Sequence, residues 1–140
     1  MILSTYLIGR MFSVVMLRYP YEACGVIVAS RKTSRPSNRP SNLYALTNVS
    51  PSPKTHFEVN PQEQLEHWER FDRNSLDPVA IFHSHTQSPP VPSPKDVEQH
   101  DPSLVMIIIG TKDPLQPRIM AYRITENGNV LIEPITIQGD

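Results

Sequence analysis

At 140 residues the chain has the size of one domain, spanning residues 1–140, with enough length for a buried core. Its net charge of −1 excludes the broad basic field of a nucleic-acid binder. A single cysteine, Cys24, excludes an internal disulfide framework and fits a reducing cytoplasm.

The chain opens on MILSTYLIGRMFSVVML, an apolar run that Gly9 and Arg10 interrupt. The run is too short for a membrane span and no small-residue cleavage site follows, so the expectation is a soluble cytoplasmic protein without membrane attachment. Ser4 is an N-cap candidate for a helix to about Arg18. Leu3, Leu7, Met11 and Val14 recur at helical spacing, and Ile8, Phe12 and Val15 widen the stripe. One face packs on a sheet, and the second stripe is a candidate homodimer interface. Pro20 closes the helix, and Cys24–Ala29 reads as a strand in which Cys24 packs as a small hydrophobe.

Residues 31–42, RKTSRPSNRPSN, carry a short tandem and read as a flexible polar hairpin tip. Leu43–Val49 and Thr55–Val59 follow as strands. Asn60-Pro61-Gln62-Glu63 reads as a capping box that opens a helix through about Arg73, with Leu65, Trp68 and Phe71 on one side. Leu104–Gly110 is a buried strand. Ile119–Thr125 and Val130–Ile137 are two more, joined by a turn whose Asn127-Gly128 pair is a strong hairpin signal.

Between these lies the stretch that carries chemistry, Val79 to Asp101. The apolar run Val79–Phe82 reads as a buried strand and ends in His83-Ser84-His85. Alternation along an extended chain points His83 and His85 to the same side. Seven residues intervene before Ser93, and three positions beyond it comes Asp96. Ser93-Pro94-Lys95-Asp96 has a complete structural reading as a capping box with proline at the first helical position. It also has a chemical one: a helix starting at Pro94 aims Asp96 at the strand end. Two imidazoles and a carboxylate then supply three ligands of a tetrahedral metal, with the fourth position open to water, as in a catalytic zinc site. His56 and His67 stand outside this spacing. His100, at a helix C-terminus, has an electrostatic reason to be there.

This His-x-His, seven residues, Ser, two residues, Asp pattern resembles the signature of the JAMM (MPN+) metalloproteases. The resemblance implies one zinc ion held by His83, His85 and Asp96, a fourth ligand that is water, and Ser93 as an oxyanion stabiliser. It further implies a general-base Glu about sixty residues upstream, and Glu22 stands there in Tyr21-Glu22-Ala23-Cys24-Gly25. The implied fold is α/β: a single MPN/JAMM (cytidine-deaminase-like) domain with a mixed, curved β-sheet flanked by helices, and a first strand that is short or missing. The motifs Tyr-Glu-Ala-Cys-Gly, His-Ser-His-Thr and Pro-Ser-x-x-Asp, the Thr111–Pro114 loop and Tyr122-Arg123-Ile124 are most like small bacterial hydrolases that serve sulfur-carrier proteins. Those enzymes release cysteine, or a short extension, from the Gly-Gly end of a ubiquitin-like carrier. An isopeptidase acting on other ubiquitin-like conjugates would use the same site. A non-catalytic MPN scaffold typically loses ligands or the Glu, whereas all five positions are present here. A nucleotide deaminase lacks support because the Pro-Cys-x-x-Cys segment is missing.

Overall fold

The computed structural model describes residues 1–32 and 39–139. In chain order the elements are β1 (Ile2–Ser4), α1 (Thr5–Arg18), β2 (Cys24–Ser30), β3 (Pro40–Leu46), α2 (Pro61–Arg73), β4 (Leu76–His85), α3 (Pro94–Gln99), β5 (Val105–Gly110), β6 (Arg118–Ile124), β7 (Val130–Glu133) and β8 (Thr136–Gln138). The main sheet has the order β3-β2-β4-β5-β6-β7. Only β4 and β5 run parallel in it, and α3 lies in the crossover between them. The short first strand pairs with β8 in a separate two-stranded parallel sheet.

Strand alternation assigns the two faces. Ile27 of β2, Ala80 and Phe82 of β4, and Val105, Ile107 and Ile109 of β5 pack on Leu7, Met11 and Val15 of α1. On the opposite face Cys24, Val26 and Val28 meet Phe71 of α2, while Met106 and Ile108 pack with Tyr122 and, from α3, Val97. The domain is therefore a mixed sheet between helices. Each core contributes through area removed from water, about 25 cal/mol per Å² of apolar surface.

Caps set the helix starts. The Ser4 side chain accepts from the Leu7 N–H, and Asn60 accepts from Gln62 and Glu63. Glu63 does not complete a capping box. Its carboxylate instead takes the Thr47 N–H and hydroxyl at 2.8 and 2.9 Å, fastening α2 to the end of β3. Leu65 is exposed and Phe71 is the one fully buried residue of α2, so the expected three-residue stripe is narrower. In α1 the outer positions Ile8, Phe12 and Val14 pack partly on the core, leaving Tyr6, Met16 and Leu17 exposed.

Other boundaries differ from expectation for local reasons. Strand β4 begins at Leu76 and runs through Pro78, which lacks an N–H; the register shifts beside it, where Ile27 pairs with Ala80 and Val28 with Pro78, so that Val79 of β4 is the extra residue of a bulge. Thr55–Val59 is no strand. The amides of Thr55 and His56 turn back onto the Ser52 carbonyl, leaving a single bridge between Asn48 and Val59. Pro134 interrupts the last expected strand, dividing it into β7 and β8. The second tandem copy is no loop, since Pro40, Ser41 and Asn42 belong to β3. The first copy, with Arg35, lies outside the described residues. Arg31 is no free charge either: it pairs with Asp72 and Asp77. The β6–β7 turn carries Gly128 at φ 81°, a left-handed conformation that glycine adopts without a Cβ clash.

Candidate metal centre

The site is assembled at the C-terminal end of β4. His83 and His85 sit on the α2–α3 face, both nearly fully buried, and the intervening Ser84 turns to the other side. Ser84 was not singled out in the sequence, yet its hydroxyl accepts the Ala23 N–H at 2.8 Å while its own N–H reaches the Ala23 carbonyl at 3.0 Å. Together with the Cys24–His83 pairing, this clamps Glu22 alongside the histidine pair.

Asp96 arrives by the capping box. Ser93 Oγ accepts the Asp96 N–H at 3.1 Å, and Asp96 Oδ2 accepts the Ser93 N–H at 2.9 Å. The same Oδ2 lies 3.3 Å from His83 Nε2 and 3.1 Å from His85 Nε2, and the two nitrogens are 3.2 Å apart. Among the described residues these three form the group able to hold a metal ion.

The connecting loop is pinned from three sides. The Pro89 carbonyl takes His85 Nδ1–H at 2.8 Å, Tyr122 Oη donates to the Pro90 carbonyl at 2.6 Å, and Thr86 Oγ1 donates to the Lys54 carbonyl at 3.0 Å. Pro90 packs on Gly110, where a Cβ would lie 2.9 Å from its Cδ. Phe57 stacks on the His83 ring with centroids 4.4 Å apart, a contact the sequence pattern did not announce.

Donor chemistry tests whether an ion fits. A His85 ring that donates through Nδ1 presents its Nε2 lone pair to a carboxylate oxygen at 3.1 Å, an arrangement that needs a cation between or a proton. Ligand atoms around a tetrahedral zinc with bonds near 2.0–2.2 Å stand about 3.3 Å apart, close to the spacings here. The hydrogen bond to Pro89 is the outer support that fixes a ligating imidazole's tautomer. The residues therefore fit a tetrahedral ion, zinc included.

The electrostatics agree with that fit. Burial drives the Asp96 carboxyl upward, but its close contacts with the His83 and His85 rings and the hydrogen bond from the Ser93 N–H overcome it and lower its pKa. His83 is shifted down, chiefly by burial, which favours the neutral ring that can ligate. For His85 burial lowers the pKa, yet the bonds to Asp96 and Pro89 and the charges of Asp96 and Glu22 raise it overall. Glu22 is pushed up to about 7 by burial, with His85 opposing and Asp96 reinforcing. That value suits a group that exchanges protons near neutrality. Cys24 is buried and its thiol is pushed up to about 12, primarily by burial, which removes it as a nucleophile.

The other histidines serve elsewhere. His56 meets Thr55 Oγ1, His67 packs with Tyr44 and Phe71, and His100 Nε2 donates to the Leu104 carbonyl.

The family model described as prokaryotic homologs of the JAB domain matches residues 4–125. The chain belongs to this family. Across 138 residues it is 30% identical to the CysO-cysteine peptidase of Mycobacterium tuberculosis, covering 98% of this chain and 90% of that protein. Over 92 residues it is 32% identical to a probable TtuB-protein conjugate cleaving protease of Thermus thermophilus, covering 66% of this chain and 57% of that one. The solution structure of a Desulfitobacterium hafniense protein superposes with TM-score 0.80 at 31% identity, covering 100% of this chain and 94% of that chain. As a JAB-domain chain it is a peptide hydrolase, with a His-His-Asp group able to hold a metal ion. No described helix is long and apolar enough to cross a membrane.

Proposed function

We propose that the chain is a zinc-dependent hydrolase that releases cysteine, or a short C-terminal extension, from the Gly-Gly end of a ubiquitin-like sulfur carrier in cysteine and sulfur metabolism. The observation that carries this reading is the convergence of His83, His85 and Asp96 at 3.1–3.3 Å beside the buried Glu22 carboxyl. The near full-length likeness to a CysO-cysteine peptidase supports the substrate class.

Hydrolysis bonds a water oxygen to the glycine carbonyl carbon, breaks the Gly–Cys C–N bond and moves one proton to the departing amine. When bound by His83, His85 and Asp96, zinc lowers the pKa of water and polarises the carbonyl. The Glu22 carboxylate accepts the water's proton and passes it to the leaving nitrogen. Ser93 Oγ already accepts from the Asp96 N–H, which leaves its own hydrogen to donate to the carbonyl oxygen as that oxygen gains charge. A Gly-Gly tail is thin enough to pass the buried ligands in extended form, along Thr86–Val91. The product is a free thiol, and the reading places the reaction in a reducing cytoplasm.

The test is intact-mass spectrometry of a ubiquitin-like carrier extended by one cysteine after Gly-Gly, incubated with zinc-loaded protein and with His85→Ala. Loss of one cysteine residue, absent with the variant, is the expected result. An unchanged carrier alongside cleavage of a lysine-linked carrier conjugate replaces this reading with the isopeptidase one, which the Thermus thermophilus relative favours.

A further inference from the structure

Asn48 follows β3 in an irregular stretch, and its half-buried side chain uses its whole hydrogen-bonding capacity. Nδ2 donates to the carbonyls of Glu22 and His56 at 2.9 and 3.0 Å, and Oδ1 accepts from the amides of Ser50 and Glu58 at 3.0 and 3.1 Å. Donors facing two carbonyls and an acceptor facing two amides also fix which way the amide points.

The segment this one side chain closes, residues 50–58, touches the metal centre at three places. The Pro53 carbonyl accepts the Glu22 N–H at 2.7 Å, the Lys54 carbonyl holds Thr86, and Phe57 stacks on His83. Glu22 thus has its N–H bound to the segment and its C=O bound to Asn48. It is held from the segment side as firmly as Ser84 holds Ala23 from β4. Asn48, Glu22 and Pro53 also wall a pocket of about 240 Å³ with Arg18 and Tyr21.

We infer that Asn48 is a positioning residue for the peptide hydrolysis: it locks residues 50–58 and the Glu22 backbone so that the Glu22 carboxylate faces the metal centre. The inference rests on the reading of Glu22 as the base. Its chemistry is conformational, since all four bonds of the Asn48 side chain go to backbone groups and none to His83, His85 or Asp96. A displacement of the base of order 1 Å is enough to cost about a hundredfold in rate.

Two variants test it. Asn48→Ala removes all four bonds, while Asn48→Asp keeps the acceptor half but turns a carboxylate oxygen onto two carbonyls. Both are assayed as zinc-loaded full chains on the carrier ending Gly-Gly-Cys, singly and in a Glu22→Gln background. The expected result is kcat lower by about 10–100-fold, with KM and bound zinc little changed. In the Glu22→Gln background the same substitution adds less than about twofold, because a group that acts through Glu22 has nothing left to position. A kcat near wild type, or an equal loss with and without Glu22, overturns the inference. Hydrogen exchange supplies a readout without substrate. In Asn48→Ala the amides of Glu22, Ser50 and Glu58 should lose protection while β2 and β4 retain theirs; unchanged protection also overturns it. A wild-type protein that cleaves no carrier derivative rejects the functional reading instead, and the exchange experiment then decides the inference by itself.

Discussion

Strands β4 and β5 have two ends, and the two ends differ in kind. At their N-terminal end lies a cleft of about 750 Å³, walled by Met1, Pro40, Pro78, Val105, Arg123 and Glu133 among others. The C-terminal end of β4 holds the His83–His85–Asp96 group, and the groove that reaches Asp96, along the α2–α3 face past Phe57, Trp68 and His100, is smaller, at about 450 Å³. Volume alone favours the first. The polar groups of that cleft, however, are bonded to one another: Glu133 takes both the Arg123 guanidinium at 2.9 Å and the Met1 amine at 3.7 Å, and Arg39 bonds Gln138. At the other end lone pairs of two imidazoles and a carboxylate are turned toward one point. Polar groups that bond one another hold a fold together, whereas groups that converge with like polarity need an ion. That difference locates the chemistry.

The comparison can be broken by substitutions at either end. The largest effect is expected from Glu22→Gln, with turnover lower by about 10²–10⁴-fold and zinc retained. Burial pushes the Glu22 carboxyl up to about 7, and only its carboxylate takes a proton, so turnover falls as pH drops through that region. Bound zinc moves the midpoint downward, because a nearby cation favours the charged form. The pH–rate profile checks this, and Glu22→Gln should lose that acid limb. Stability has the opposite sense. A buried carboxyl with a raised pKa costs stability once ionised, so metal-free Glu22→Gln should melt above wild type by more at pH 8 than at pH 5.

Ser93→Ala comes next, with turnover lower by about a hundredfold through loss of one donor to the developing oxyanion. Thermal unfolding should register the lost helix cap as well, at about 1 kcal/mol. Gly110→Ala pushes a Cβ against Pro90 and shifts the carbonyl of Pro89 that orients His85, so a chelator competition should report zinc affinity about tenfold weaker. The smallest effect belongs to the other end. Arg123→Ala opens the larger cleft and should leave turnover within about twofold, with about 1 kcal/mol or less of stability lost from a half-exposed ion pair.

What the sequence made legible at the site were its local rules. Period-two alternation joined His83 to His85, and the Ser93–Asp96 cap placed the third donor, because both act over a few residues. The hairpin at Gly128 and the cap at Ser4 were legible for the same reason. What stayed hidden depends on contacts between distant segments. Phe57 over His83, Pro53 and Asn48 on Glu22, and Ser84 on Ala23 are set by sheet register and by an irregular segment without periodicity. Thr55–Val59 failed as a strand for a related reason: the amides of Thr55 and His56 are spent on the Ser52 turn, and that of Glu58 on Asn48, rather than on a ladder. Proline marked a true break at Pro134 but not at Pro78, where a bulge at Val79 of the same strand absorbs it.

The central claim is that the C-terminal end of β4 is a metal centre whose ligands are distinct from its proton carrier. Its most direct test is the zinc content per chain after identical dialysis, by elemental mass spectrometry, for wild type, Asp96→Ala and Glu22→Gln. The account predicts one ion in wild type and in Glu22→Gln, and none in Asp96→Ala. Full retention by Asp96→Ala, or loss in Glu22→Gln, would contradict it.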